Sequence, residues 1–158
     1  MEVSDIFAEL KAHALEGMVF HDEMVRYFDF LNLGKHKERH EEQYEEESKG
    51  YRGLCDYYMS HYNRFIPEHP MKRPDVIPES WYRYSRQDVD SGTKTNAVRV
   101  AVEKWVDWER QTKSLYEEMC KELMEQGEIS AAMYVSCMLK AVDTELVEAE
   151  SKHIDLEK

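Results

Sequence analysis

All four prolines of this 158-residue chain fall between positions 67 and 78. Proline breaks a helix because it lacks an N–H and its ring clashes with the preceding turn. The sequence therefore carries one serious interruption, and the long stretches on either side are free to be helical. Both sides use that freedom, with apolar residues returning at three- and four-residue spacings in four runs and no strand-like alternation competing. The pattern predicts an all-α fold: an antiparallel four-helix bundle with a long crossover between helices 2 and 3, formed as a single domain over residues 1–158.

The first helix is expected from about Asp5 to Leu31, with Ser4 as N-cap and a stripe running through Phe7, Leu10, Ala14, Gly17, Met24 and Phe28. Gly34 suits a left-handed turn after it. The second is expected from about Lys37 to Phe65, with Tyr44, Tyr51, Cys55, Tyr58, Tyr62 and Phe65 sharing a face beneath a highly charged outer surface. Residues 66–93 hold the prolines and the segment SWYRYS. This stretch is too long for a simple turn and long enough to run the length of a bundle. One short helix near Pro78 and a turn at Asp90-Ser91-Gly92 are expected within it. The third helix is expected from about Thr95 to Met124, ended by Gly127, and the fourth from about Glu128 to His153. The short connections between helices 1 and 2 and between 3 and 4 make each pair an antiparallel hairpin.

Composition narrows the function classes. With 33 acidic against 21 basic side chains the formal net charge is -12, a field that repels a nucleic-acid backbone and attracts cations. No apolar run reaches the roughly 20 residues that span a bilayer, and the N-terminus lacks the basic start and apolar run of a signal peptide. No nucleic-acid and no membrane partner is therefore expected. Cys55, Cys120 and Cys137 stand apart, without CxxC spacing, which predicts reduced, buried thiols and a cytoplasmic setting. There is no nucleophile-elbow G-x-S-x-G and no phosphate-binding glycine loop.

The informative residues are acidic ones on faces that should be dry. At about 100° per residue, Glu109 shares the inward arc of Trp105, Thr112 and Tyr116. Glu47 lies between Tyr44 and Tyr51, with His40 on the same face. Glu16 flanks the stripe of helix 1, and Glu145 that of helix 4. The turn near Gln126 lies 17 residues after Glu109 and 19 before Glu145, so these two stand at similar height; around Leu33 the intervals are 17 from Glu16 and 14 to Glu47. Four carboxylates, one from each helix, can then meet in the interior. Buried carboxylates are costly unless protonated, paired or bound to metal. The same glutamates can also lie along a seam or bond a tyrosine, arginine or histidine, and His21 and His40 can be ligands or hydrogen-bonded core residues. Tyr27, Tyr44, Tyr51 and Tyr116 are read chiefly as large core side chains whose hydroxyls reach a polar partner.

With hairpin, crossover and hairpin in that order, and with the segments HEEQYEEE and WVDWERQTKSLYEE, the chain resembles the ferritin-like superfamily of diiron-carboxylate bundles over nearly its full length. The resemblance implies metal ligands at Glu16, Glu47, Glu109 and Glu145; His21 and His40, from their places on the inner arcs of helices 1 and 2, are additional candidates in an atypical arrangement. It implies iron or manganese as the cofactor, as a dinuclear centre, with ferroxidase or oxygen- and peroxide-handling oxidoreductase activity. The alternative is a non-catalytic ferritin-like scaffold for protein interaction. Metal ions and a homo-oligomeric assembly are the expected partners. The chain departs from the Glu-x-x-His pattern of that family: Gly50 follows Glu47 by three residues and Glu148 follows Glu145. A literal Glu150-Ser151-Lys152-His153 lies near the chain end, and Gln43 stands one turn before Glu47.

Overall fold

The computed structural model describes residues 1–157 and is helical over most of that length. Its long helices are α1 (Val3–Phe30), α2 (Gly34–Tyr62), α3 (Ser91–Glu125) and α4 (Ile129–Glu157). The fold is an antiparallel four-helix bundle with a long connection between α2 and α3, matching the ferritin-like topology. Two compact units divide the chain, Phe7–Ala97 in one and Met1–Ile6 with Val98–Lys158 in the other. Among the described residues no helix is long and apolar enough to cross a membrane.

In the first unit the α1–α2 turn is closed by Asn32, not by the glycine that follows. Asn32 takes a left-handed φ of 58°. Its N–H reaches the Asp29 carbonyl and that of Leu33 the Phe28 carbonyl, which caps the last carbonyls of α1. Asparagine tolerates this conformation, so Gly34 is released to open α2 instead of ending α1. The hairpin register follows from that turn. Phe7 meets Tyr57 and Tyr58, with ring centroids 6.0 and 5.0 Å apart, and Phe28 stacks on His36 at 4.8 Å. Each pair lies almost equally far from Asn32. Asn63, with φ 54°, ends α2 at Tyr62. Phe65, expected on the inner face, is therefore outside the helix and 87% exposed.

The connection from α2 to α3 is tied along α1. Going up the chain, Glu68 accepts from Lys11 (2.8 Å), the Lys72 N–H donates to Glu16 (2.8 Å), Arg73 binds Glu23 and Arg86 reaches Asp29 (3.2 Å). Between the last two, Trp81 sets its ring edge-on to Tyr27 and Phe30 at 5.4 and 5.9 Å. From Lys11 to Asp29 α1 rises roughly 27 Å, less than the connection can span. The slack is taken up in 3₁₀ turns at Glu79–Arg83, behind Pro78, and at Arg86–Asp88. Ile66 and Val76 are its buried anchors.

The second unit contains the α3–α4 hairpin. Asp90, expected in a turn, caps the start of α3: its carboxylate accepts the Thr93 N–H at 2.7 Å, so the helix begins at Ser91. Likewise Ser4 lies inside α1, which starts at Val3. Gly127 turns the chain with φ 78°, and the Glu128 N–H returns to the Leu123 carbonyl. Trp105, Met119, Leu123, Ala131 and Val135 are almost wholly buried. The thiols correct the expectation of burial: Cys55 and Cys120 are half-buried, and Cys137, on the outer face of α4, is exposed. All three are free.

Candidate metal and proton site

Each hairpin carries two of the expected carboxylates, and the two sets are held differently. In the α3–α4 hairpin, Glu109 is 0% exposed, one turn after the buried Trp105 and three residues before the buried Thr112. The Thr112 hydroxyl is turned away and donates to the Trp108 carbonyl at 2.9 Å. Glu145, half-buried on α4, is as far beyond Gly127 as Glu109 is before it, and their carboxyl groups are hydrogen-bonded. Burial pushes Glu109 up to about 7; bonds from Glu145 and Trp105 pull it back, while the negative charge of Glu148 adds to the rise. Two carboxyl groups can share such a bond only while one holds a proton. Near neutral pH this pair is thus poised between a shared proton and two negative charges.

In the α1–α2 hairpin, Glu47 packs over Gly17. A Cβ at that glycine would come within 3.0 Å of the Glu47 carboxyl carbon and Oε2. Only a residue without a side chain leaves room for the carboxylate there. The register puts Glu16 and Glu47 level, closer than the sequence intervals suggest, because the turn centres on Asn32 and not on Leu33. The Glu16 carboxylate, however, is held by the connecting segment through the Lys72 N–H, and its Oε2 lies 3.9 Å from His13 Nδ1.

His21 and His40 form a buried pair in the same hairpin, Nδ1 to Nδ1 at 3.0 Å and 0% and 2% exposed. One ring must donate and the other accept, so at least one imidazole is neutral and the two take opposite tautomers in the neutral pair. Phe20 meets His21 edge-on and Phe28 stacks on His40. Burial holds His21 down at about 3. Burial also holds His40 well below its usual value, with the charges of His21, His36 and Arg39 adding to the effect. His13 is lowered by burial to about 4. Gln43, three residues beyond His40, is 7% exposed, and its Oε1 has no hydrogen-bond partner.

The donor chemistry fits a hard or borderline divalent cation. In the α3–α4 hairpin Glu109 and Glu145 offer oxygens already brought together; separately, within the α1–α2 hairpin, Glu47 occupies a cleared space, Gln43 adds a buried neutral oxygen and the histidine pair is uncharged. Among the described residues, no group of three or more His, Cys, Asp or Glu side chains is gathered as a metal-ligand cluster. The histidine pairing and the open Gln43 oxygen are the features that face-by-face reading of the sequence does not reveal. The buried polar signal at 40 and 43 was visible in the helical spacing, but the ring-to-ring contact requires the register of the turn. No known protein family, curated protein or solved structure matches the chain.

Proposed function

We propose that this ferritin-like bundle binds iron or manganese through its interior carboxylates, with Glu109 and Glu145 as the principal donors. The observation that carries the reading is the wholly buried Glu109 sharing a hydrogen bond with Glu145. Loss of the shared proton leaves two negative charges in a dry place, and a divalent cation compensates them better than water can reach them. Glu47 and Glu16, level with each other in the α1–α2 hairpin, are the further carboxylate candidates. One of His21 and His40 is a supplementary donor: only the ring that donates from Nδ1 in the pair keeps a lone pair on Nε2.

Bound iron or manganese would supply the electron-transfer chemistry that no side chain of the chain provides, as ferroxidase or oxygen- and peroxide-handling activity requires. The protein's own contribution is to hold the carboxyl groups, keep water away from Glu109 and accept or release a proton at the Glu109–Glu145 bond. Anaerobic titration of the purified chain with Fe2+ or Mn2+ tests this directly. Binding of about one or two ions per chain is expected, reduced in Glu109→Ala and Glu47→Ala. A chain that takes up neither ion, or variants with unchanged stoichiometry, ends the proposal. Oxygen uptake on adding Fe2+ then separates catalysis from structural binding.

A second reading is a scaffold without redox chemistry. It is favoured by the same carboxyl pair, which a single proton already satisfies, and by Gly50 and Glu148 standing where the family pattern has histidine. Under that reading the protein is equally stable with and without divalent ions, and Fe2+ consumes no oxygen above the buffer rate.

A further inference from the structure

We propose that the outer face of α4 is a docking surface for a second copy of this chain, packed antiparallel about a two-fold axis. The contrast in surface chemistry points to it. Among the described side chains of α4, only Lys140 and Asp155 are charged at fully exposed positions, whereas the exposed positions of α2 are charged apart from Gly34, Ser60 and His61. In their place α4 shows Ile129 at 58% exposure, Met133 at 64%, Val147 at 67% and Ile154 at 57%, with the exposed Cys137 among them. Successive intervals of four, four, ten and seven residues keep these side chains on one face. On a chain with a net charge of -12, isolated exposed apolar residues are ordinary, but a helix face that gathers four large ones around the single exposed lysine Lys140 is a recognition surface.

The arrangement along α4 selects the occupant. The large apolar residues lie towards the two ends of the stripe, and its middle holds Cys137, Lys140, Ala141 and Thr144. There the Thr144 hydroxyl is turned back on the Lys140 carbonyl at 3.2 Å and demands little from a partner. An axis between Ala141 and Val142 sets Ile129 of each copy against Ile154 of the other. It also sets each Lys140 against the other copy's Asp143, which is half-exposed beside Lys113. The same patch therefore complements itself in shape and charge, as a two-fold interface must. The stripe from Ile129 to Ile154 is about 38 Å long and about 10 Å wide, a footprint on the order of 400 Å² per copy. That is less than a permanent dimer needs. The association is consequently reversible, and it strengthens with salt, because two acidic chains repel everywhere except here.

Sedimentation of the full chain between about 5 and 500 µM, at low and high salt, tests the proposal. The expected result is a monomer–dimer equilibrium that shifts towards dimer with concentration and with salt. Val147→Glu and Met133→Glu should remain monomeric with unchanged helical circular dichroism, and Glu42→Gln on α2 should dimerise like the parent. Maleimide labelling at Cys137, followed by peptide mass, should slow about threefold or more at the high concentration. This readout needs no substitution and does not depend on metal. Monomer under every condition overturns the proposal. So does self-association that weakens with salt, that persists in Val147→Glu, or that leaves Cys137 equally reactive.

Discussion

The two hairpins bury titratable groups of opposite kind. The α1–α2 hairpin hides bases, His13, His21 and His40, each kept uncharged by burial. The α3–α4 hairpin hides an acid, Glu109, which burial keeps protonated further up the pH scale. Each interior is therefore neutral under conditions that strain the other. Both devices lower the charge of a dry interior, but one does it by refusing a proton and the other by retaining one. The lesson is that burial alone dictates no pH response; the kind of group buried sets its direction.

The largest effect that would break this contrast is on the acid side. The imidazoles take up protons near 6.5 when unfolded and only near 4 and 3 when folded at His13 and His21. Their contribution to stability is complete above pH 6.5 and is lost as the pH falls through about 4 to about 3. Amide exchange read by peptide mass should show α1 and α2 losing protection in that window. His40→Leu alone leaves the His21 ring without its partner and should cost about 1–3 kcal/mol. The double variant His21→Leu/His40→Leu should recover much of that loss and blunt the acid transition. A single substitution as benign as the double one would mean that the 3.0 Å ring contact contributes nothing.

On the alkaline side the sign reverses. Glu109 binds its proton more tightly in the fold than in the unfolded chain, so its contribution is complete below about 4.5 and is lost as the pH rises through about 7. Metal-free protein should be measurably less stable to urea at pH 8 than at pH 5.5. Glu109→Gln, which is neutral at any pH, should remove that limb and exceed the parent by about 2 kcal/mol at pH 8. Parallel urea midpoints for the two proteins across pH 5–8 would contradict an uncharged Glu109.

The smallest effect expected is at Gly17. Alanine there gains about 1 kcal/mol in helix propensity but displaces the Glu47 carboxylate, which lies 3.0 Å from the new Cβ. Glu47 ends in a flexible side chain and can move, so Gly17→Ala should change stability by less than about 1 kcal/mol. Any share of metal affinity that depends on Glu47 should fall nonetheless. Thermal melts with and without Mn2+ separate the two outcomes.

The helices were legible because the apolar spacing is long and the prolines are confined to one segment. Their ends were not. Asn32 takes the left-handed position that Gly34 suits, and Asp90 caps α3 where the sequence predicts a turn, since short polar side chains can serve either purpose. The inward position of Glu109 followed from its arc beside Trp105. The similar heights of Glu109 and Glu145 followed from their intervals of 17 and 19 residues around Gln126, but their bond did not. The capture of Glu16 by the Lys72 N–H was hidden, because it depends on the path of a connecting segment that has no periodicity. The three cysteines misled for a related reason: cysteine is commonly buried, but residue 137 falls on the exposed outer face of α4, which composition averages away.

The account rests most heavily on a proton held between Glu109 and Glu145 being exchangeable for a divalent cation. Calorimetric titration of Mn2+ in buffers of different ionisation enthalpy measures that exchange. The prediction is binding that releases close to one proton per ion at pH 6, markedly less at pH 8, and no such pH dependence in Glu109→Gln. Binding without proton release at pH 6, or identical proton release by the parent and Glu109→Gln, would contradict it.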